Sequence, residues 1–192
     1  MKIFWGLLFL SLLPIAVHGQ VKYEQESRLR VEEVPLAARA FIQQVDTGRK
    51  VKWYYEENLE GNSVEAKFKR NCQRYSVEFD TLGNIQDVEI EVKSQALSPA
   101  LQQKLLLTLD SLYQRHKIRK IQQHYQADKT QLLELLQQET VQEARGIYTA
   151  FELIVKGKQE QGTELYELLL SPNGALLEQR RIIFKNATHL EY

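Results

Sequence analysis

The sequence is poor in cysteine, proline and glycine: its 192 residues include one cysteine, four prolines and nine glycines. A single cysteine, Cys72, excludes a disulfide within the chain, so a hydrophobic core must hold the fold together. No histidine lies near Cys72 in the sequence to activate its thiol, and we expect it to be a small side chain at the start of a strand. A reactive thiol and an intermolecular bridge are the alternatives.

The chain also lacks an excess of charge of one sign. The 25 basic residues equal the 25 acidic ones, and the formal net charge is zero. Binding to nucleic acid requires a clustered basic excess, so we expect no nucleic-acid partner.

Motifs of catalysis, metal ligation and cofactor binding are missing from the sequence as well. The four histidines show no H-x-x-x-H or H-E-x-x-H spacing, and no C-x-x-C pattern occurs. The chain has neither a G-x-S-x-G elbow nor a glycine-rich phosphate loop. We therefore predict no catalytic residue, no metal, no cofactor and no enzymatic activity. A pair of carboxylates is the remaining route to catalysis, but groups such as Glu89 and Glu91 are expected to stay solvated.

Long apolar runs are confined to the N-terminus. Lys2 precedes an apolar segment over 3–13, and Pro14 leads to small residues that end at Gly19. This pattern is typical of a cleavable export signal over 1–19. The run is shorter than the ~20 residues that span a membrane, which disfavours an uncleaved anchor. We expect a periplasmic or secreted protein, soluble after cleavage near Gly19, with no later membrane span.

The first half of the remaining chain predicts a helix followed by a sheet. Residues 20–33 are polar without periodicity and predict a flexible lead. Pro35 opens a short amphipathic helix that Gly48 closes. Apolar and polar residues then alternate with a period of two, which indicates strands with one buried and one wet face. These four strands are predicted at 50–57, 62–70, 73–80 and 85–92.

The same order recurs in the second half. Ser98 and Pro99 open a longer helix. The strands that follow it are predicted at 118–125, 148–157, 163–171 and 175–184. Residues 128–146 interrupt them with a leucine stripe that indicates an inserted helix. Packing of this helix onto its own half is favoured over docking of a partner. The predicted fold class is α+β, with two tandem repeats of a helix plus a four-stranded antiparallel sheet, over 34–93 and 97–185.

The motifs "YSVEFDTLGNI", from Tyr75, and "YELLLSPNGAL", from Tyr166, occur at equivalent points of the two halves. Together with "VP" and "AFI" in the first helix, they resemble the PepSY-like family, whose fold is also described as similar to that of β-lactamase-inhibitor proteins. The resemblance covers about Val34 to Phe184, and it implies the fold and a periplasmic location in Bacteroidota. It implies no activity, because no inhibitory loop matches residue by residue.

Binding surfaces are more promising than catalytic sites. In the first half, the sheet face away from the helix is expected to show Lys52, Tyr54 and Lys67 among other charged groups. The corresponding face of the second half is too apolar to leave in water. Its residues are Ile154, Leu165, Leu169, Leu176 and Ile182. This face is expected to pack against the first half, the inserted helix, a second subunit or a ligand, and a register error of one residue would exchange the faces.

These observations favour a non-enzymatic binding or inhibitor-like protein that recognises a protein or envelope component through a sheet face. A second copy of the chain, which would form a homodimer, is one such partner. A carrier of a small hydrophobic ligand is the alternative, and a hydrolase that uses carboxylates is the third hypothesis.

Overall fold

The computed structural model describes residues 20–48, 50–58, 61–138 and 147–184. The predicted export signal and the end of the predicted insertion lie outside these residues. The described part is an α+β structure of nine strands and three α-helices. Among the described residues, no helix combines the length and the apolar character needed to span a bilayer.

The strands are β1 (Gln20–Leu29), β2 (Lys52–Asn58), β3 (Gly61–Arg70), β4 (Gln73–Asp80), β5 (Ile85–Glu91), β6 (Arg115–Gln126), β7 (Tyr148–Gln159), β8 (Gly162–Leu170) and β9 (Leu176–Phe184). The helices are α1 (Leu36–Ile42), α2 (Pro99–Leu112) and α3 (Lys129–Gln137).

The strands form one closed barrel in chain order. Each strand pairs antiparallel with the next, and β1 closes the barrel by pairing antiparallel with β2 and parallel with β9. The structure thus differs from the flexible lead expected over 20–33. None of the side chains described in β1 is buried, so backbone hydrogen bonds to β2 and β9 mainly hold this strand. Without a buried face, its sequence shows no strong apolar alternation that would predict a strand.

Two separate hydrophobic cores lie between the sheet and the helices. The first joins α1 and α3 to β2–β5, and the second joins α2 to β6–β8. The inserted helix was expected to pack onto the second half of the chain. Its buried residues Leu132, Leu135 and Leu136 instead belong to the first core, beside Phe41 and Phe79.

Arg70 explains where α3 lies. Its buried guanidinium donates hydrogen bonds to the carbonyl oxygens of Leu136 (2.6 Å) and Gln138 (3.2 Å), at the C-terminus of α3. It also donates to the carbonyl of Asp46, 3.1 Å away. A cation at this end of a helix is favourable because the last carbonyls lack intrahelical partners and carry partial negative charge. Arg70 therefore ties the inserted helix to β3.

The two turns that carry the motif glycines have the same geometry. Gly83, between β4 and β5, has φ of +90°, and Gly174, between β8 and β9, has φ of +79°. In each turn the glycine N–H donates to the carbonyl three residues earlier, that of Asp80 or Ser171. An added Cβ would lie 2.8 Å from the backbone of Ala38 in α1 at Gly83, and 3.0 Å from Leu101 in α2 at Gly174. Both turns thus lie against the helix that precedes them.

Candidate functional site

The candidate site is the face of the sheet that points into the barrel, here called the inner face. Alternate residues of each strand point to opposite faces, and the apolar set packs beneath the helices on the outside. The opposite set therefore lines the interior. Strand pairing places these residues in rows, such as Gln122, Glu152 and Leu169 on β6, β7 and β8.

Seven of the buried or half-buried carboxyl groups on this inner face are here called the inner acidic cluster. They are Glu56, Glu65, Glu78, Asp87, Glu89, Glu152 and Glu167. Four buried or half-buried cationic side chains share the face with them. They are Lys22, Lys67, Lys120 and Arg180. Acidic groups thus outnumber basic ones in a region largely removed from water.

Lys67 neutralises one end of the inner acidic cluster. Its Nζ lies 2.7 Å from Glu65, 3.1 Å from Glu26 and 4.0 Å from Glu56. It also lies 4.9 Å from the centre of the Tyr54 ring, within the range of a cation–π contact. Burial opposes the charge of Lys67, but the three carboxylates outweigh it and raise the pKa of this lysine.

The same three carboxylates are the group of described residues close enough to share a metal ion. One oxygen from each of Glu26, Glu56 and Glu65 lies within 4.8 Å of the others. Because the ammonium group of Lys67 already contacts all three, it takes the position that a metal would need.

Several of the remaining carboxyl groups are arranged to keep their protons. Burial and the neighbouring Glu65 raise the pKa of Glu56 to about 10. Burial likewise raises the pKa of Glu78, and burial with the charge of Glu78 raises that of Asp87 well above its usual range. Neighbouring carboxyl groups cannot all ionise where water is scarce, so some groups of the cluster stay protonated at neutral pH.

A second group lies where β5, β6 and β7 meet. Burial acts to raise the pKa of Glu89, but His124 and Lys120 outweigh it and lower this pKa to about 2. The Nδ1 atom of His124 lies 3.8 Å from Glu89, and Gln122 donates its side-chain N–H to the same carboxylate. Glu89 is thus an anion held by three polar neighbours.

Gln122, which donates a hydrogen bond to that anion, has an amide oxygen that accepts none from the described residues. The residue is only 4% exposed, and its Oε1 is buried with no hydrogen-bond partner among the described residues. An unpaired buried carbonyl oxygen costs about 1–3 kcal/mol. Its neighbour on β7 is Glu152, whose pKa is raised well above the usual range by burial and by the charges of Glu89 and Glu167. Lys120 and Lys22 lie near enough to act on both carboxyl groups, but no described residue donates a hydrogen bond to the amide oxygen of Gln122.

Apolar side chains surround this second group. Leu169 pairs with Glu152 across β7 and β8, and Ile154 pairs with Glu167 across the same strands. Ile154, Leu165 and Leu169 are half-buried. Ile182 is buried on the neighbouring β9.

The residues predicted for binding are brought to one face, with one exception. Lys52, Tyr54, Lys67, Ile154, Leu165, Leu169 and Ile182 all lie on the inner face. Leu176 does not, because a bulge shifts the register between Leu169 and Leu170, and Leu176 packs against the second core. Such a bulge is the kind of register change that exchanges faces.

Sequence reasoning missed the acidic half of the site. The carboxylates of the first half were expected to be an ordinary solvated surface, but the barrel encloses them because β1 covers the open edge between β2 and β9. Gln122, His124 and Glu152 carried no motif. Alternation in β6 and β7 predicts which face they occupy, and no local signal shows that the face is enclosed.

No family model and no curated protein matches the chain. Among solved structures, it is similar to a DUF2874 family protein from Bacteroides ovatus ATCC 8483, with 14% identity, a TM-score of 0.48, and coverage of 77% of this chain and 87% of that one. It is also similar to a BLIP-like protein from Bacteroides fragilis NCTC 9343, with 18% identity, a TM-score of 0.47, and coverage of 81% and 92%. Neither likeness is close enough to carry an argument about activity, and the PepSY-like resemblance stays a prediction.

Proposed function

We propose that this is a non-enzymatic, exported binding protein that takes a positively charged ligand onto the inner face of its barrel. The observation that carries the proposal is Gln122 Oε1, which is buried without a hydrogen-bond partner beside Glu89 and Glu152. Buried polar atoms are nearly always paired, and an unpaired one beside carboxylates fits a missing donor or cation.

The charge balance of the inner face supports the same ligand class. Glu56 and Glu152 favour their protonated forms even though Lys67 lies near the first and Lys22 and Lys120 lie near the second, because the carboxyl groups outnumber the cations. A cationic ligand that displaced these protons would restore charge pairing in a region of low dielectric. An anionic ligand would add to the repulsion.

The closed barrel alters how recognition takes place. A protein or envelope component was expected to bind an open sheet face. The pairing of β1 with β9 closes the sheet into a barrel, so the inner face is enclosed. The ligand in this proposal is therefore small or extended enough to enter the barrel, which brings the proposal closer to the small-ligand carrier considered from the sequence.

The two halves of the fold are proposed to be copies of one helix-plus-sheet unit, with α3 as an insertion. The matching turns at Gly83 and Gly174, each seated on its preceding helix, support this relation. On this view Lys67 completes the acidic group of β2 and β3, whereas the amide oxygen of Gln122 on β6 is left for a ligand.

A thermal-shift panel tests the proposed function. Organic cations, divalent metal ions and matched anions are added to the protein at pH 7, and we expect cations alone to raise the melting temperature. Glu152→Gln is expected to diminish the shift, and Glu164→Gln, an exposed change on β8, to leave it intact. Stabilisation by anions, or an equal response of both variants, would contradict the proposal.

A carboxylate-based hydrolase is the second candidate. It is favoured by one observation: the pKa of Glu89 is lowered to about 2 while that of Glu152 is raised, a split typical of acid and base pairs. Turnover in a panel of glycoside and ester substrates that is lost in both Glu89→Gln and Glu152→Gln would establish it. Absence of turnover together with cation binding would support the binding protein.

A further inference from the structure

We propose that the ligand is an amphiphilic primary amine, with its ammonium group between Glu89, Gln122 and Glu152 and its alkyl chain along Ile154, Leu165 and Leu169. This inference rests on the proposed function and narrows its ligand class. Three independent features of the inner face lead to it.

Lys67 supplies the first feature, because it shows how this face accommodates an ammonium group. The three carboxylates around Lys67 lie within 4.0 Å of its Nζ, and the stem of the lysine is an alkyl chain. The second group offers comparable ligands, two carboxyl groups and an amide oxygen. No lysine among the described residues donates to Gln122 Oε1.

The donor geometry supplies the second feature. An ammonium group has three N–H donors, and the site offers the carboxyl oxygens of Glu89 and Glu152 and the unpaired Oε1 of Gln122. The three N–H donors of an ammonium group thus match the three acceptor residues in number.

The alternation of acidic and aliphatic residues supplies the third feature. Ile154 follows Glu152 by two residues on β7, and Leu165 and Leu169 flank Glu167 on β8. A wall of this kind is apolar next to the carboxyl groups, which suits a ligand that is cationic at one end and hydrocarbon beyond it. A hydrophilic polyamine would leave these half-buried side chains unfilled.

Calorimetric titration with n-octylammonium, n-butylammonium and octanoate, below micelle-forming concentrations, tests the inference. We expect octylammonium to bind, with affinity rising about fourfold for each methylene that the barrel encloses. Octanoate is expected not to bind. Gln122→Leu and Glu152→Gln should each weaken octylammonium binding at least about tenfold, because each removes a hydrogen bond to a charged group.

The matched control is Gln123→Leu, which changes the same residue type one position away on the opposite face of β6. Its affinity should equal that of the unaltered protein. Circular dichroism confirms that each variant is folded, and Leu169→Ser provides a second test by reducing the dependence on chain length.

The outcomes separate the inference from the proposed function. Equal affinity for butylammonium and octylammonium, or binding of spermidine or Ca²⁺ without binding of octylammonium, overturns the amphiphilic amine while a cationic ligand stands. Binding of no cation at all overturns both. Octylammonium binding that Gln122→Leu and Gln123→Leu affect equally places the ligand elsewhere and also overturns the inference.

Discussion

Lys22 of β1 forms an ion pair with Glu167 of β8, across the intervening strand β9. The side chain of Glu167 is only 8% exposed, so its charge depends on nearby cations. The pair connects the first strand of the barrel to a strand 145 residues later in the chain. The ion pair therefore helps to hold β1 in the closed barrel.

Lys22→Met is expected to lower the free energy of unfolding by about 2 kcal/mol, because it removes a partner from a buried carboxylate. Urea unfolding measures this loss, and Lys93→Met, an exposed change outside the barrel, is expected to cost less than about 0.5 kcal/mol. Adding Glu167→Gln to Lys22→Met should recover part of the stability. Equal effects of Lys22→Met and Lys93→Met would mean that the ion pair does not contribute to closure.

Arg70→Met is expected to cost about 3 kcal/mol and to loosen α3 selectively. The change leaves the carbonyls of Leu136 and Asp46 without the donor that pairs them. Hydrogen exchange should accelerate in α3 before it accelerates in β3. Arg74→Met is the control, because Arg74 is 72% exposed and its pair with Glu91 is solvated. Unchanged exchange in α3 would contradict the role assigned to Arg70.

Gly157→Ala tests how α2 packs on β7. An added Cβ would lie 2.4 Å from the Tyr113 ring, so the helix end or the strand must shift, at a cost of about 2 kcal/mol. Tyr113→Leu provides the room, and in a double-mutant cycle by denaturant unfolding the two changes should be strongly non-additive. Additive losses would show that Gly157 and Tyr113 do not compete for the same space.

Stability is expected to fall as the pH rises from 5.5 to 8. The raised pKa of Glu56, about 10, means that the folded state keeps a proton that the unfolded state releases above its ordinary pKa. Each retained proton lowers the free energy of unfolding by about 1.4 kcal/mol per pH unit in this range. Glu89, whose pKa is lowered to about 2, acts in the opposite direction only below its ordinary pKa.

Thermal unfolding at pH 5.5 and 8.0 measures this dependence, and Glu56→Gln should make it shallower. A protein equally stable at both pH values, with or without Glu56→Gln, would show that the inner acidic cluster is solvated.

The alternation of apolar and polar residues predicted most of the sheet. It located the strands from β2 to β5 and from β7 to β9 to within a few residues, because each buries one face against a helix. It did not predict β1, whose described side chains are all at least partly exposed and whose pairing partners lie far away in the sequence. Barrel closure is a long-range property that local periodicity does not report.

The candidate site was predicted in part for the same reason. Ile154, Leu165 and Leu169 were recognised as too apolar for a free face, and they do line an enclosed one. The carboxyl groups opposite them were not recognised, because their burial depends on β1. Leu176 was misplaced because a bulge cannot be located from alternation alone.

The central claim is that a cation binds on the inner face, and the most direct test is to locate it by NMR. Spectra of the protein with labelled isoleucine and leucine methyl groups and labelled glutamine side chains are recorded as octylammonium is added. We expect shifts at Gln122, Ile154 and Leu169, with little change at Leu106 and Leu107 on the exposed face of α2. Shifts confined to Leu106 and Leu107, or to the cores beneath the helices, would contradict it.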